Sequence, residues 1–212
     1  MNKRQKRGLA LLAVGLLLVM CGLGIHLAQQ QEDISAGQTA AVLLQQLDSK
    51  IPQLNYKPEN NTQPSNPAPE DNTTEETVDP VLPEVQYMGY TLLGSISIPS
   101  VAIRLPVLDQ WSEDMLKVAP CRYQGSITDG NMIIMGHNYK SHFTPLHWIA
   151  IGAEVEFENT VGKVFRYRVA EIEYLHRTQG EQLPSAEYPL TLFTCTAGGL
   201  DRIVVRCEAV EE

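Results

Sequence analysis

An uncharged apolar run near the amino terminus limits how the rest of the chain can be arranged. It covers residues 8–28 and follows a basic head at residues 1–7, MNKRQKR. In a helix that rises about 1.5 Å per residue, a run of this length crosses the roughly 30 Å hydrocarbon core of a bilayer. A cleaved signal peptide is the alternative, but its apolar region is normally shorter, and His26 and Ala28 match a cleavage site poorly. We therefore predict an uncleaved transmembrane anchor.

The distribution of charge predicts the orientation of this anchor. Four cations precede the apolar run and none follows it directly. The positive-inside rule then places the amino terminus in the cytoplasm and everything after Gln29 outside, as a single-pass protein of the cell membrane. Beyond the basic head, the chain carries all 25 acidic residues but only 12 of the 16 basic ones. Such an acidic surface repels phosphate backbones, so nucleic-acid binding is not expected.

Two segments separate the anchor from the remainder of the chain. Residues 29–54 are predicted to form a helical stalk, because their apolar residues follow the spacing of one helical stripe. Those residues are Ala40, Leu43, Leu44, Leu47 and Ile51. Pro52 is expected to end the helix, which would lie on the membrane or against the following domain.

A proline-rich stretch follows at residues 55–85. Its central part, residues 57–84, contains six of the 13 prolines and seven acidic residues but few large apolar ones. Such a composition cannot offset the entropy lost on ordering, so a disordered linker is predicted. Fully extended at about 3.1 Å per residue, it would let the next domain stand up to roughly 87 Å from its anchor.

Residues 86–212 are predicted to form one mainly β domain. Short runs of alternating or continuous apolar residues, separated by turn residues, indicate a small barrel or sandwich. The runs are YTLLGSISI, VAIRLPV, NMIIMGH, AEVEFEN, KVFRYRVAEIEYL, PLTLFTC and RIVVRCEAV. Two helical turns interrupt them, at residues 112–118 and 144–151, with Ser112 and Thr144 as the expected N-caps.

The four cysteines give the first indication of chemistry. Cys21 lies inside the predicted anchor, and the others are Cys121, Cys195 and Cys207. There is no CxxC pair and no cluster with metal-ligand spacing, so a structural zinc site is not predicted. Outside the cell two of the three could form a disulfide, Cys121–Cys207 among the options, and one thiol would stay free.

The stretch LTLFTCTAGGLDRIVVRC, residues 190–207, is predicted to be an antiparallel hairpin with Cys195 opposite Arg202. Directly opposed residues share a face, so Phe193, Cys195, Arg202 and Val204 point one way. The alternate residues point into the core, which makes Cys207 a buried structural thiol. An arginine beside a cysteine favours the thiolate and can hold an oxyanion. A solvated surface hairpin is the alternative.

A histidine strengthens the catalytic interpretation. The segment NMIIMGHNYKSH runs as an apolar strand into His137, so the imidazole is predicted to lie at a strand end, as Cys195 does. Thiol and imidazole together can act as nucleophile and general acid/base. His142, His147 and His176 are assigned packing or surface roles, because they fall in loops or on a helical turn.

These residues resemble those of the sortases, the membrane-anchored cysteine transpeptidases of mainly Gram-positive bacteria. Four segments carry the resemblance. They are GNMIIMGHN at 130–138, HFTPLHWIAIGAEVEF at 142–157, TLFTC at 191–195 and RIVVR at 202–206. The anchor and linker fit the same plan. The resemblance implies an eight-stranded β-barrel with short helices, preceded by the transmembrane helix and linker.

The resemblance also implies a mechanism and partners. His137, Cys195 and Arg202 would be the catalytic set, and Thr194 and Thr196, which flank the cysteine, would help to bind substrate. Cys195 would cleave an LPxTG-like sorting signal of a secreted protein through a thioester. The acyl group would pass to an amine of a peptidoglycan precursor or of a pilin.

Several points stay open in the sequence. A peptide-binding module without turnover and a hydrolysing cysteine peptidase are the alternatives to transfer. Pilin-polymerising members carry an Asp-Pro-aromatic lid, whereas this chain has Asp79-Pro80-Val81, and it ends at Glu212 without a second membrane helix. These departures favour a protein-anchoring type. No cofactor is predicted, and Ca²⁺ dependence is undecided because no EF-hand spacing occurs.

Overall fold

The computed structural model describes residues 3–55, 85–185 and 187–210, with side chains described for 11–51 of the first range. The predicted linker, residues 55–85, and the motif Asp79-Pro80-Val81 lie outside the described residues, except for the two end positions of the linker. The boundaries predicted for the other segments stay predictions.

A single helix, α1, spans Lys3–Asn55. Residues 11–30 of this helix are exposed, its most apolar 18 residues have a mean hydropathy of 2.4, and the helix is long and apolar enough to cross a membrane. Anchor and stalk are therefore one uninterrupted helix. The prediction that Pro52 ends the helix is wrong by three residues. Pro52 has no N–H for the carbonyl of Asp48, four residues earlier, but the chain keeps its helical course to Asn55.

The rest of the described chain is mainly β. Nine strands follow α1: β1 Val85–Tyr87, β2 Tyr90–Ile98, β3 Ile103–Leu108, β4 Cys121–Gln124, β5 Met132–Met135, β6 Glu154–Asn159, β7 Val164–His176, β8 Leu190–Cys195 and β9 Asp201–Ala209. A short helix, α2, spans Glu113–Leu116. Three 3₁₀ turns cover Pro99–Val101, Thr144–Trp148 and Gly180–Gln182.

The strands form a closed eight-stranded barrel, as the sequence predicted. They are ordered β1-β2-β3-β4-β5-β8-β9-β7-β6, and β2 also pairs with β6, which closes the sheet and leaves β1 as a short addition at β2. Most neighbours are antiparallel, but β3 and β4 are parallel, and so are β5 and β8. The parallel pair β5 and β8 brings two strand ends together at one place on the barrel.

The two predicted helical turns differ in their caps. Ser112 caps α2 as expected, because its hydroxyl accepts the backbone N–H of Met115 at 3.1 Å. The turn at Thr144–Trp148 is 3₁₀, and its N-cap is Phe143 without a side-chain bond. Thr144 is therefore not the cap. Its hydroxyl is 2.7 Å from the side-chain oxygen of Asn138 instead, which ties the turn to the segment after β5.

The second half of α1 packs against the barrel. Ala40, Leu43, Leu47 and Ile51 are buried and join the main hydrophobic core. Asp48, on the same helix, forms a two-pronged ion pair with Arg104 of β3, with both N···O distances at 2.9 Å. Of the two positions predicted for the stalk, the one against the domain is correct. The barrel is therefore held against the helix that continues from the predicted anchor. It is not separated from this helix by the length of the predicted linker.

Candidate active site

The predicted catalytic residues lie at the ends of three adjacent strands: His137 follows β5 by two residues, Cys195 is the last residue of β8, and Arg202 is the second residue of β9. β5 and β8 pair in parallel up to Met135 opposite Phe193, and the N–H of Gly136 then bonds the carbonyl of Phe193 at 3.0 Å. If this register is continued two residues past the pair of Met135 and Phe193, His137 aligns with Cys195. Neighbouring strands lie about 4.8 Å apart, so the two residues come within side-chain reach of each other.

The other side of Cys195 is occupied by β9. Cys195 is the register partner of Arg202, as the hairpin analysis predicted. The predicted alternation of faces therefore holds along both strands. Since paired residues share a face, the thiol and the guanidinium belong to the outer face of the barrel wall. The alternation of Ile133 and Met135 along β5, continued by two residues, gives His137 the same face.

A second hydrophobic cluster covers part of that outer face. We call it the outer cluster, and its buried members are Ile133, Leu175, Leu183, Phe193 and Val204. The solvated surface hairpin, which the sequence left open as the alternative, does not describe β8 and β9 away from the strand ends. Leu183, from the segment between β7 and β8, closes over Phe193 and Val204. The predicted site therefore lies at the exposed ends of β8 and β9, beyond the part of this face that Leu183 covers.

Aromatic rings extend the outer cluster sideways. Tyr123 of β4 meets Phe193 edge-on at a centroid distance of 5.3 Å, and Trp111 lies 5.5 Å beyond Tyr123. Trp111 and Tyr123 also line an open cavity of about 430 Å³, together with Arg122. This arrangement provides apolar surface on the face that carries Cys195.

Cys195 is the partly exposed thiol of the barrel. Cys121 and Cys207 are completely buried, and all four cysteines are free, so the optional disulfide is absent. Burial raises the pKa of Cys121 and of Cys207 to about 12 in each case. The thiolate is the reactive form of cysteine, so these two side chains are inert near neutral pH.

His137 is half-buried, and its ring stacks on Tyr139 with centroids 3.9 Å apart and planes 20° apart. Burial is the main cause of a pKa below the ordinary 6.5, and Lys117 acts in the same direction. The carboxylates of Glu113, Glu32 and Asp33 oppose the shift. His137 is consequently a neutral base at physiological pH.

The residue before His137 has to be glycine. A Cβ atom at Gly136 would overlap the ring of Phe143, which is fully buried. The N–H of Phe143 also bonds the carbonyl of His137 at 3.3 Å, so the chain turns back over the end of β5. The Gly-His pair therefore fixes where the imidazole leaves the strand.

Arg202 is held from two sides. One terminal nitrogen, Nη1, donates to the carbonyl of Arg177 at 3.0 Å, and the guanidinium lies 5.8 Å from the ring centre of Phe193. Its Nε is buried without a hydrogen-bond partner among the described residues. Nδ1 of His137 is likewise buried and has no hydrogen-bond partner among the described residues. Buried polar atoms of proteins nearly always have partners, so these two are exceptions, and both belong to residues of the predicted site.

The two threonines beside Cys195 have different environments. Thr194 points into the barrel, is completely buried, and its hydroxyl has no partner among the described side chains and backbone. A contact between Thr194 and a peptide outside the barrel would therefore have to come from its backbone. The hydroxyl of Thr196 bonds the carbonyl of Asp201 at 3.0 Å, within its own hairpin. Substrate binding by these two residues stays a prediction.

Two functional candidates escaped the sequence analysis. Tyr139 contacts His137, and the only signal available was its position two residues after the histidine. Arg206 lies on the face of Arg202 but is 4% exposed, so it is a buried side chain and not a solvated one.

His142 is buried as well, which agrees with a packing role. No group of three or more potential metal ligands occurs among the described residues.

Comparisons with known proteins identify the class to which the fold belongs. The sequence profile of the sortase domain matches residues 96–210, more than half of the chain. A search of curated proteins gave no match. The solved structures that resemble the chain are sortases, the cysteine enzymes built on a closed barrel of this kind. The chain belongs to the sortase family.

Three solved structures illustrate the likeness. A Clostridium perfringens sortase D5 transpeptidase is 19% identical with a TM-score of 0.51, over 57% of this chain and 79% of its own. Sortase C1 from Streptococcus suis is 26% identical with a TM-score of 0.51, over 57% of this chain and 74% of that one. Sortase A from Listeria monocytogenes is 20% identical with a TM-score of 0.52, over 57% and 88%.

Proposed function

We propose that this chain is a membrane-anchored cysteine transpeptidase. It would cleave an LPxTG-like sorting signal of a secreted protein and join the acyl part to an amine of a peptidoglycan precursor or of a pilin. The observation that carries the proposal is the pairing of Cys195 with Arg202 across β8 and β9, beside the end of β5, which His137 follows by two residues.

The first half of the reaction forms a thioester. His137 takes the proton of Cys195 as the sulfur attacks the substrate carbonyl, and the C–N bond then breaks as the leaving amine takes that proton from the imidazole. Because Nδ1 of His137 is buried, Nε2 is the nitrogen that we expect to exchange protons. The guanidinium of Arg202, the register partner of Cys195, is suited to donate to the oxyanion.

The second half transfers the acyl group. The incoming amine attacks the thioester, His137 removes its extra proton, and Cys195 leaves and regains a proton. Aminolysis exceeds hydrolysis only if the amine is bound better than water, so specificity for transfer depends on the acceptor site. Trp111, which is 43% exposed at the edge of the outer cluster, is the apolar side chain that we expect to contact the leucine or proline of such a signal.

The location follows from α1 and the charges before it. We propose that residues 8–28 cross the cell membrane with the amino terminus inside, so that the barrel faces the wall. A protease added outside intact cells should then remove the barrel and leave an amino-terminal fragment protected. Protection of the barrel would contradict this orientation.

The full-length chain in detergent micelles is the right material for the test, since α1 contributes to the main core. It would be incubated with LPxTG-like and NPxTN-like peptides plus triglycine, and the products read by mass. A ligated peptide and a thioester adduct are expected, and both should disappear in Cys195→Ala. Cys121→Ala, at a buried thiol, is the matched control and should ligate normally.

The other outcomes separate the alternatives. Cleavage without ligation at saturating triglycine, and with no other amine accepted, would identify a hydrolysing peptidase. Peptide binding without any adduct on Cys195 would identify a module without turnover. A Cys195→Ala variant that still ligates would overturn the assignment of the nucleophile.

A further inference from the structure

The membrane-proximal helix contacts the loop that follows His137. The carboxylate of Asp33 accepts the backbone N–H of Lys140 at 3.2 Å and that of Ser141 at 3.0 Å. The hydroxyl of Ser141 lies 2.6 Å from the same carboxylate. One turn further along α1, Gly37 leaves room for this loop, because a Cβ there would come within 2.9 Å of the Ser141 Cβ. The helix and the loop are therefore fitted to each other.

The same loop carries the ring that supports His137. Tyr139 stacks on the imidazole, and its hydroxyl donates to Glu32 of α1 at 3.4 Å. The carbonyl of Tyr139 accepts the N–H groups of His142 and Thr144, at 3.0 and 3.1 Å. These bonds make the loop a compact unit. A movement of the loop at its contact with Asp33 therefore also moves the Tyr139 ring.

Charged groups from several elements face His137. Glu32 and Asp33 come from α1, Glu113 and Lys117 from α2 and the residue after it, and His142 from the loop itself. Burial alone would raise the pKa of Asp33, but the hydrogen bonds from Ser141 and Lys140 lower it overall. Asp33 is thus an anionic acceptor at neutral pH, and its bonds to the loop are charge-assisted.

We propose that Asp33 is a positioning residue for His137 and acts through the loop of residues 139–142. The inference deepens the proposed function and rests on it. Asp33 lies five residues beyond the predicted end of the anchor at residue 28, about one and a half helical turns. The helix that anchors the protein is, on this proposal, also part of the support of its active site.

α1 offers a matched control for this idea. Asp48 is a second carboxylate on the same helix that binds the barrel, through Arg104 of β3. It holds helix and barrel together but does not contact the loop of residues 139–142. If Asp33 acts only by holding the helix in place, Asp33→Ala and Asp48→Ala should behave alike.

The test uses the full-length chain in detergent micelles with peptide and triglycine. For Asp33→Ala we expect kcat to fall about tenfold while KM stays within about twofold, because an imidazole out of place slows the chemistry more than binding. Asp48→Ala should keep kcat within about twofold of wild type, whatever its change in melting temperature. Equal losses of kcat in the two variants would overturn the proposal.

A second readout does not depend on turnover. The ring current of Tyr139 shifts the NMR signals of the His137 imidazole, and these signals should move toward free-histidine values in Asp33→Ala but not in Asp48→Ala. Unchanged signals in Asp33→Ala would refute the positioning role even if wild type showed no transfer. Ser141→Ala, which removes one bond, should move signals and kcat the same way by a smaller amount. Ser141→Ala is the variant to measure if Asp33→Ala does not fold.

Discussion

Arg206 binds Glu173 through two of its nitrogens, with Nε at 2.7 Å and Nη2 at 2.6 Å from the same carboxylate oxygen. The guanidinium also donates to the backbone carbonyls of Gln182 and Leu183. It therefore fastens the segment between β7 and β8 onto the outer face of the barrel. Leu183 belongs to the outer cluster with Phe193, two residues before Cys195, so this arginine shapes the surface beside the nucleophile.

Arg206→Lys tests this role. A lysine keeps the charge but lacks the planar fork that serves four acceptors at once, which are Glu173, the hydroxyl of Thr191 and the two carbonyls, so the carbonyls would lose partners. We expect the free energy of unfolding to fall by about 2 kcal/mol, measured by urea denaturation in detergent. The KM for peptide should rise more than kcat falls, since Leu183 moves while His137 and Cys195 stay in place.

Arg166→Lys is the control for Arg206→Lys, because Arg166 pairs with Glu156 at 3.2 Å where half of its side chain is exposed. Its effect on unfolding should stay below about 0.5 kcal/mol. A large fall in kcat with unchanged KM in Arg206→Lys would contradict the assigned role and point to a direct part in the chemistry.

Gly136→Ala tests the turn that delivers His137. The added Cβ would overlap the buried ring of Phe143, so either that ring or the end of β5 has to move. We expect a loss of about 1–3 kcal/mol in the free energy of unfolding, as for other overpacked cores, together with a fall in kcat. Urea denaturation and peptide ligation measure the two effects.

Gly180→Ala is the comparison for this substitution, because the nearest atom to its Cβ would be Nη1 of Arg202 at an ordinary 3.8 Å. Its unfolding free energy should change by less than about 0.5 kcal/mol. If Gly136→Ala were as stable and active as Gly180→Ala, the close packing of Phe143 would not be what fixes His137.

Much of the fold was predictable from period-two patterns and turn residues. β8 and β9 alternate apolar residues clearly enough to give their register, which placed Cys195 opposite Arg202. The sequence did not predict β1 and β4, which have three and four residues. Strands that short contain too few side chains for alternation to be recognised, and the arginine, tyrosine and glutamine of β4 do not resemble a buried strand.

The support of the site was less predictable than its catalytic residues. Asp33 and Ser141 are 108 positions apart in the chain, and no local pattern relates them. No local pattern relates Arg206 to its partners, which are Glu173 of β7 and two carbonyls of the segment between β7 and β8. Local periodicity reports which face a residue is on, whereas these contacts depend on what other segments pack over that face.

Thiol labelling provides a direct check on which cysteine is reactive. In the folded full-length chain at pH 8, iodoacetamide should modify Cys195 faster than Cys121 and Cys207 by at least about a hundredfold. The reason is that burial raises the pKa of the latter two to about 12 and also blocks access. Peptide mapping by mass spectrometry measures each site separately, and labelling after unfolding in urea should make the three rates similar. Comparable labelling of Cys207 in the folded chain would contradict the packing of β9.

The stability of the protein should depend on pH through His142. Burial lowers the pKa of this histidine from 6.5 to about 4, and the nearby His137 contributes in the same direction, while Asp33 opposes it. The unfolded chain therefore binds a proton at a pH where the folded chain does not. The contribution of His142 is fully present above about pH 6.5 and is lost as the pH falls toward 4, by roughly 3 kcal/mol in all.

His142→Gln, which cannot take up a proton, isolates this contribution from the other groups that titrate in acid. Both proteins would be unfolded with urea in detergent at pH 7, 6, 5 and 4. The free energy of unfolding of wild type should fall by roughly 3 kcal/mol more than that of the variant across this range, even if the variant is less stable at pH 7. Parallel curves would mean that His142 is not shielded from water, and hence that the packing of α1 over the loop after His137 is looser than described.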